Sequence, residues 1–368
     1  MQYLGSPNYG DLMILDSWYL ENLACPRTHA HLFESGAGLV SPEGAVYPVV
    51  EGLPVLLRDD VEQTIGLARA SLDRASGMVI DQRAPELFLE SLGISEEEKA
   101  GVLDLVRRRT NLIDPVVSYL VGATNGIAYK HLIGKLDHYP IPPFPLDGNG
   151  QLLDLGCGWG RWTLAAAKRG FEVVGVDPSL GALMAARRVS RSLSVRSRYV
   201  CGDARFLPFR DASFDAVFSY SVLQHLSEPD VELVLQDIAR VLRPGGVSLI
   251  QMPNRVGLRC LFHQVRRGLR AARAFEVRYW SMDTLHKTFS TLLGESTIFI
   301  DCFFSLGLQK SDSDLMPISH RALIGLSEVL KGLSRNLSVL VRVADSVFVL
   351  SRKSGESQKS VASIRYIR

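Results

Sequence analysis

From Gln151 onward the apolar residues fall into short solid runs, separated by stretches in which they recur at helical spacing. "QLLDLG", "FEVVGVD", "SRYVCGD", "FDAVFSYS" and "GGVSLIQM" are solid runs and predict strands buried on both faces. "RWTLAAAKRG", "SLGALMAARRVSRSL" and "PDVELVLQDIARVL" predict helices, the first closed by Gly170. Two later runs, "STIFIDCFF" and "DSVFVLSRK", predict strands that complete the sheet. Strands alternating with helices of this length imply an α/β domain, with a parallel sheet covered on both faces and ligands at the carboxyl ends of the strands.

The chain before Gln151 has a different texture. From about Leu20 to Arg58 short β-like runs are broken by Pro and Gly. From Val61 to about His138 the pattern turns helical, and "SEEEKAGVLDLVRRR" offers Ser95 as a cap with acids in the first turn. "YPIPPFPLDGNG" reads as an irregular linker and a boundary. The divisions expected are a β module over 1–60, a helical segment and linker over 61–145, an α/β domain over 146–353, and a flexible polar tail over 354–368. Two segments interrupt the α/β rhythm at about 255–275 and 309–342. The first carries six arginines and no acid between Arg255 and Phe275, with Leu258, Leu261, Phe262, Val265 and Leu269 at helical spacing.

Composition narrows the class only a little. The 368 residues are 46% hydrophobic and 22% charged, values of an ordered globular chain. A net charge of +2 gives no strong nucleic-acid signal. The five cysteines (Cys25, Cys157, Cys201, Cys260 and Cys302) form no Cys-x-x-Cys pair, so no metal site is expected and a reducing cytoplasm is. No signal peptide and no run long enough to span a bilayer is read.

The candidate chemistry starts at "LLDLGCGWGRW", Leu152 to Trp162. Gly156, Gly158 and Gly160 allow a tight turn and close approach of a ligand to bare backbone. A dinucleotide fingerprint would need its third glycine at Arg161, and a phosphate loop would need a closing Gly-Lys-Ser/Thr, which is not there. Asp154, just ahead of the turn, suits a cationic ligand better than a diphosphate. Asp177, at the end of the next strand, suits a ribose diol.

Taken in order, "LLDLGCGWG", "VVGVDPS", "GDARFLPF", "FDAVFSYSVLQHL" and "LRPGG" resemble the class I S-adenosylmethionine-dependent methyltransferases, particularly their small-molecule branch. The resemblance covers roughly Gln151 to Met252. It implies a Rossmann-like, seven-stranded, mostly parallel sheet with helices on both faces. Also implied is S-adenosylmethionine as cofactor, with Asp154, Gly156, Cys157, Gly158 and Gly160 around the methionine moiety. Asp177 and Pro178 then belong at the ribose, Asp203 and Ala204 at the adenine, and Ser219 beside them. In relatives a helix such as that around "NGIAYKHLIG" closes over the cofactor, which makes Tyr129 and Lys130 candidates to touch it. An O-methyltransferase on a small molecule, sugar or lipid-linked acceptor is the function this implies. His225 is the candidate general base and Tyr220 a second candidate, with packing and pocket wall as their respective plainer roles. An RNA or protein methyltransferase is the alternative, although "SYSV" stands where amine and amide methylation use an "NPPY"-type tetrapeptide. A non-catalytic S-adenosylmethionine-binding regulatory protein is a third reading.

The arginine-rich insertion reads as a solvated helix face, a lid over an anionic substrate, or a contact with an anionic membrane surface, the lid being preferred. Trp280 and Tyr279, just after it, are expected to pack. The amino-terminal stretch resembles the small zinc-ribbon-like proteins that activate tRNA, rRNA and translation-factor methyltransferases. Leu23, Ala24, Cys25, Pro26, Tyr47, Pro48, Gly52 and Pro54 carry that likeness. Thr28 stands where the metal-binding Cys-x-x-Cys would have its second cysteine, so the module is expected to be degenerate and metal-free.

Overall fold

A computed structural model of the chain describes residues 15–63, 65–108, 113–124, 127–304, 307–334, 336–337, 339–355 and 365–366. Helix α1 (Ser17–Asn22) starts where the Asp16 carboxylate accepts from Trp18 N. Three short antiparallel strands follow, β1 (Phe33–Ser35), β2 (Gly38–Val40) and β3 (Val46–Tyr47), then a hairpin of β4 (Val49–Val50) and β5 (Leu53–Pro54). Helices α2 (Gly66–Ala75), α3 (Glu96–Arg108) and α4 (Pro115–Thr124) come next. Ser95 caps α3 as expected: its hydroxyl accepts from Glu98 N, and the Glu98 carboxylate accepts from Ser95 N.

The α/β region then runs β6 (Leu146–Asp147), β7 (Gly150–Leu155), α5 (Arg161–Lys168), β8 (Phe171–Asp177), α6 (Leu180–Ser192), β9 (Arg198–Cys201), β10 (Phe214–Ser219), α7 (Glu228–Val241), β11 (Leu242–Pro253), α8 (Leu258–Arg266), α9 (Met282–Leu292), β12 (Glu295–Cys302), α10 (Ile318–Leu333), α11 (Val339–Val343), β13 (Ser346–Arg352) and β14 (Arg365–Tyr366). Seven strands form one sheet in the order β12-β13-β11-β10-β7-β8-β9, with β13 antiparallel to both neighbours and β7 to β11 parallel. The fold is α/β and Rossmann-like.

The solid apolar runs are explained by two-sided burial. Leu153, Leu155, Val217 and Ile250 pack with α7 and α9, while Leu152, Ala216, Phe218 and Leu249 pack with α5 on the other face. Two expectations need correction. The Pro-rich stretch is not a packing boundary, because Phe144 and Leu146 are buried among Leu152, Trp162 and Phe218, and Leu146–Asp147 is a strand. Nor is the tail loose throughout: Arg365–Tyr366 pairs antiparallel with Leu146–Asp147, whereas 356–364 lie outside the described residues.

The amino-terminal strands share the main core. Trp18, Tyr19, Leu23, Leu32 and Leu39 cluster with Val176, Val200 and Phe209. Val55 bridges Cys201 in parallel, and Leu56 N donates to Cys201 O at 2.7 Å, so the chain continues the sheet past β9. Cys25 lies 3.2 Å from the Tyr47 hydroxyl, and the five cysteines are all buried with no disulfide among them. Among the described residues no helix is long and apolar enough to cross a membrane.

Candidate functional site

The glycine turn is pinned to the neighbouring strand end. Gly156 N and Cys157 N both donate to Val176 O, at 2.8 and 3.0 Å. Gly156 has φ 72° and lies so close to Val222 that a Cβ there would fall 2.3 Å from it. Gly158 differs: its φ is 53°, and a Cβ on it would meet no atom within 4 Å. Its bare backbone faces open space.

Two carboxylates flank that space. Asp177 accepts from Gly158 N and from Ser179 N, each at 2.9 Å, which fixes it at the mouth of β8. Asp154 is 2% exposed and accepts from the Thr163 hydroxyl at 2.6 Å. Neither forms an ion pair among the described residues. Burial pushes Asp154 up to about 7, with the Asp177 charge adding to the effect. Burial likewise raises Asp177 to about 6, its two backbone donors pulling the other way. A buried carboxyl and a half-buried one, with no cation beside either among the described residues, make a place that favours a positively charged ligand bearing hydrogen-bond donors.

The other candidates are distributed around this centre. Ser219 donates to Leu155 O at 3.0 Å and so braces the strand end before the turn. The Cys157 thiol packs against Gly175, and burial raises it well above its ordinary value, so it is no nucleophile. Pro178 O accepts from Ser71 of α2. Asp203 is turned to a protein partner: Arg205 clamps its carboxylate through Nε and Nη2, the latter at 2.8 Å. Half-buried Ala204 lies between the two.

A buried polar triad joins the turn to distant segments. Arg161, 6% exposed at the start of α5, pairs with Asp312, 1% exposed, and Asp312 also accepts from the Tyr129 hydroxyl at 2.5 Å. Tyr129 is thereby committed to Asp312 and to Gly307 O. Trp159 packs 6.1 Å from Tyr139 within a helical cluster that includes α4. Only three-dimensional proximity brings Asp312 here, since it lies 151 residues from Arg161.

The proposed acid–base residues are tied up. His225 Nδ1 lies 2.7 Å from Phe275 O, so it carries the proton, and the ring stacks on Phe275 at 3.9 Å. Burial lowers His225 to about 4. That geometry makes it a neutral anchor for the 255–275 insertion rather than an effective base near neutral pH. Tyr220 donates to Asp301 at 2.8 Å and accepts from Gln309 at 2.6 Å, with its ring against Trp162 and Phe348. Burial and the Asp301 charge raise the phenol well above its ordinary value, so it stays protonated. Trp280 is buried, and Tyr279 lies under Arg267. A cavity of about 290 Å³ lies beyond Trp162, walled also by Asp301, Gln309, Leu323, Lys331 and Phe348.

Residues 152–246 match a family model described as a methyltransferase domain. Over 100 residues, 27% of this chain, the sequence is 41% identical to the biotin biosynthesis bifunctional protein BioHC of Cellvibrio japonicus, covering 19% of that protein. Over 111 residues, 30% of this chain, it is 33% identical to the ubiquinone biosynthesis O-methyltransferase of Azorhizobium caulinodans, covering 43% of it. The chain thus spans less than half the length of either relative. A phosphoethanolamine N-methyltransferase 2 structure from Haemonchus contortus, in complex with S-adenosyl-L-methionine, is 20% identical over 72% of this chain and 61% of that one, with a TM-score of 0.40. The bare backbone at Gly158 and the two uncompensated carboxyls suit a sulfonium cofactor with an ammonium group and a ribose diol. Residues 152–246 therefore form a methyltransferase domain of the S-adenosylmethionine-dependent type.

Proposed function

We propose that the protein transfers a methyl group from S-adenosylmethionine to an oxygen of a small or lipid-linked acceptor. The observation that carries this reading is the pair of uncompensated carboxyls, buried Asp154 and half-buried Asp177, flanking the open glycine turn inside the matched segment. When bound, the cofactor supplies a methyl group already made electrophilic by its sulfonium. Asp177 accepts from the ribose hydroxyls, Asp154 supplies negative charge near the ammonium, and Gly158 lets the cofactor lie against backbone. The named O-methyltransferases among the relatives, and "SYSV" at the end of β10, favour oxygen as the acceptor atom.

The cavity beyond Trp162 is the acceptor's compartment in this reading. Tyr220 links it to the end of β10, and buried Asp301, raised by burial and held by Tyr220 and Ser346, is a group there able to take a proton. Leu323→Trp, which fills the cavity without touching the glycine turn, is expected to raise the acceptor KM at least about tenfold. Cofactor affinity by calorimetry is expected to stay unchanged. The acceptor class is tested by methyl transfer from radiolabelled cofactor into fractionated extract. Label in the lipid or small-molecule fraction supports the proposal; label in RNA or protein overturns it.

Affinity for the cofactor is expected to depend on pH. A cation binds the ionised carboxylates, so affinity is full above about 7 and falls as pH drops through about 7 and then about 6. Calorimetry at pH 5.5 against pH 8 is expected to show binding weaker by about tenfold or more. A flat profile over that range would remove the carboxyl pair from the site.

A further inference from the structure

Helix α8 turns its apolar side away from the protein. Leu258, Leu261, Phe262 and Val265 are 52%, 47%, 59% and 58% exposed, while Cys260 is the buried residue of the helix. At about 100° per residue the four fall within an arc of roughly 100°, on the side away from Cys260. Val256, Leu269 and Phe275 extend the exposed apolar surface at either end.

The charge around this stripe is of one sign. Arg255, Arg259, Arg266, Arg270 and Arg273 are exposed, and Arg267 is half-buried. Among the described residues only Arg270 of these six pairs with a carboxylate, that of Glu276. The helix is also firmly seated. Asp345 accepts from Arg259 N and Cys260 N at 2.6 and 2.8 Å, which caps its first turn. At the far end of the insertion Phe275 stacks on His225. Helix α10 presents a second exposed apolar stripe, Leu326, Val329 and Leu333. Both insertions hang on one joint: Ser327 of α10 accepts from Phe303 N, and Asp345 accepts from Phe304 N.

We propose that α8 and its flanks are an interfacial segment that lies, apolar side down, on an anionic phospholipid bilayer. Charge complementarity selects this occupant. Five arginines with no carboxylate partner among the described residues flank apolar side chains of the depth that reaches the headgroup–acyl boundary, where anionic headgroups meet the guanidiniums. The long arginine stems let the charges rise to the headgroups while the stripe sinks below them. As to substrate, the inference rests on the methyl-transfer reading. It deepens that reading by making the acceptor a membrane-resident lipid or a lipid-linked molecule, presented beside the carboxyl ends of the strands.

The test is co-sedimentation of the full chain with phosphatidylcholine vesicles, with and without about 30 mol% phosphatidylglycerol. At least about tenfold more protein is expected on the anionic vesicles, falling several-fold as salt rises from about 0.1 M to 0.5 M. Leu261→Gln with Phe262→Gln, both on the exposed face, is expected to abolish binding while leaving cofactor affinity unchanged. Arg266→Gln with Arg273→Gln is expected to remove most of the preference for anionic lipid. Equal binding to neutral vesicles, or none to anionic ones, overturns the proposal. A dimer in light scattering that the Leu261→Gln/Phe262→Gln protein loses, without vesicle binding, would assign the stripe to a second copy and overturn it too. Cofactor binding and methyl transfer without vesicle binding sink this inference alone. Vesicle binding without methyl transfer sinks the catalytic reading alone.

Discussion

Asp177→Asn is expected to weaken S-adenosylmethionine binding about 30- to 150-fold, the loss of one charge-assisted hydrogen bond of about 2–3 kcal/mol. The carboxylate already holds Gly158 N and Ser179 N, and in the proposed site its remaining lone pairs accept from the ribose diol. An asparagine keeps the size but offers one acceptor oxygen in place of two. It also removes a charge that burial makes costly, so the unfolding midpoint in urea is expected to move little. Calorimetry gives the affinity and urea titration checks the fold. Unchanged affinity with an intact fold would take Asp177 out of the cofactor site.

Arg161→Ala is expected to have the largest effect on stability, about 3–5 kcal/mol in urea unfolding. The substitution strands Asp312, 1% exposed, with no cation beside it, leaving only the neutral hydroxyls of Tyr129 and Ser311 to donate to it among the described residues. In the intact protein the pair also answers an electrostatic conflict, since a guanidinium at the first residue of α5 opposes the positive end of the helix dipole. Arg161→Met with Asp312→Leu removes both charges together and is expected to recover most of the loss. A cost below about 1 kcal/mol for the single change would mean that water reaches the pair and solvates the stranded carboxylate.

The strands were legible because two-sided burial leaves a local mark, a solid apolar run, and β8 spans the same residues as its run, Phe171–Asp177. The Ser95 cap was legible for the same reason, since it acts within three residues of itself; Ser179 caps α6 in the same way, although it was not singled out. What was not legible depends on distance along the chain. No local pattern announces that Asp312 will sit against Arg161. Phe144 and Leu146 were hidden by the prolines around them, which argue for loop but not against burial. Motif order located Asp203, yet it could not show that Arg205, two residues on, would take its carboxylate. The spacing of Leu258, Leu261, Phe262 and Val265 predicted one apolar face, and periodicity is silent about what covers such a face. His225 stands at its expected place beyond β10, but its stacking on Phe275 could be seen only in three dimensions.

The bridge between Val55 and Cys201 covers an edge of the sheet. Strand β9 ends the seven-stranded sheet, and an open strand edge offers unpaired amides and carbonyls to any other chain. Leu56 N occupies the Cys201 carbonyl, while Trp18, Tyr19 and Leu23 shield the apolar surface beside it. A chain shortened to begin at Leu146 would keep all the residues that match the methyltransferase domain, yet it would expose this edge and that surface together. The amino-terminal strands thus act as a built-in blocking strand, and the segment that matches the methyltransferase domain does not cover this edge by itself.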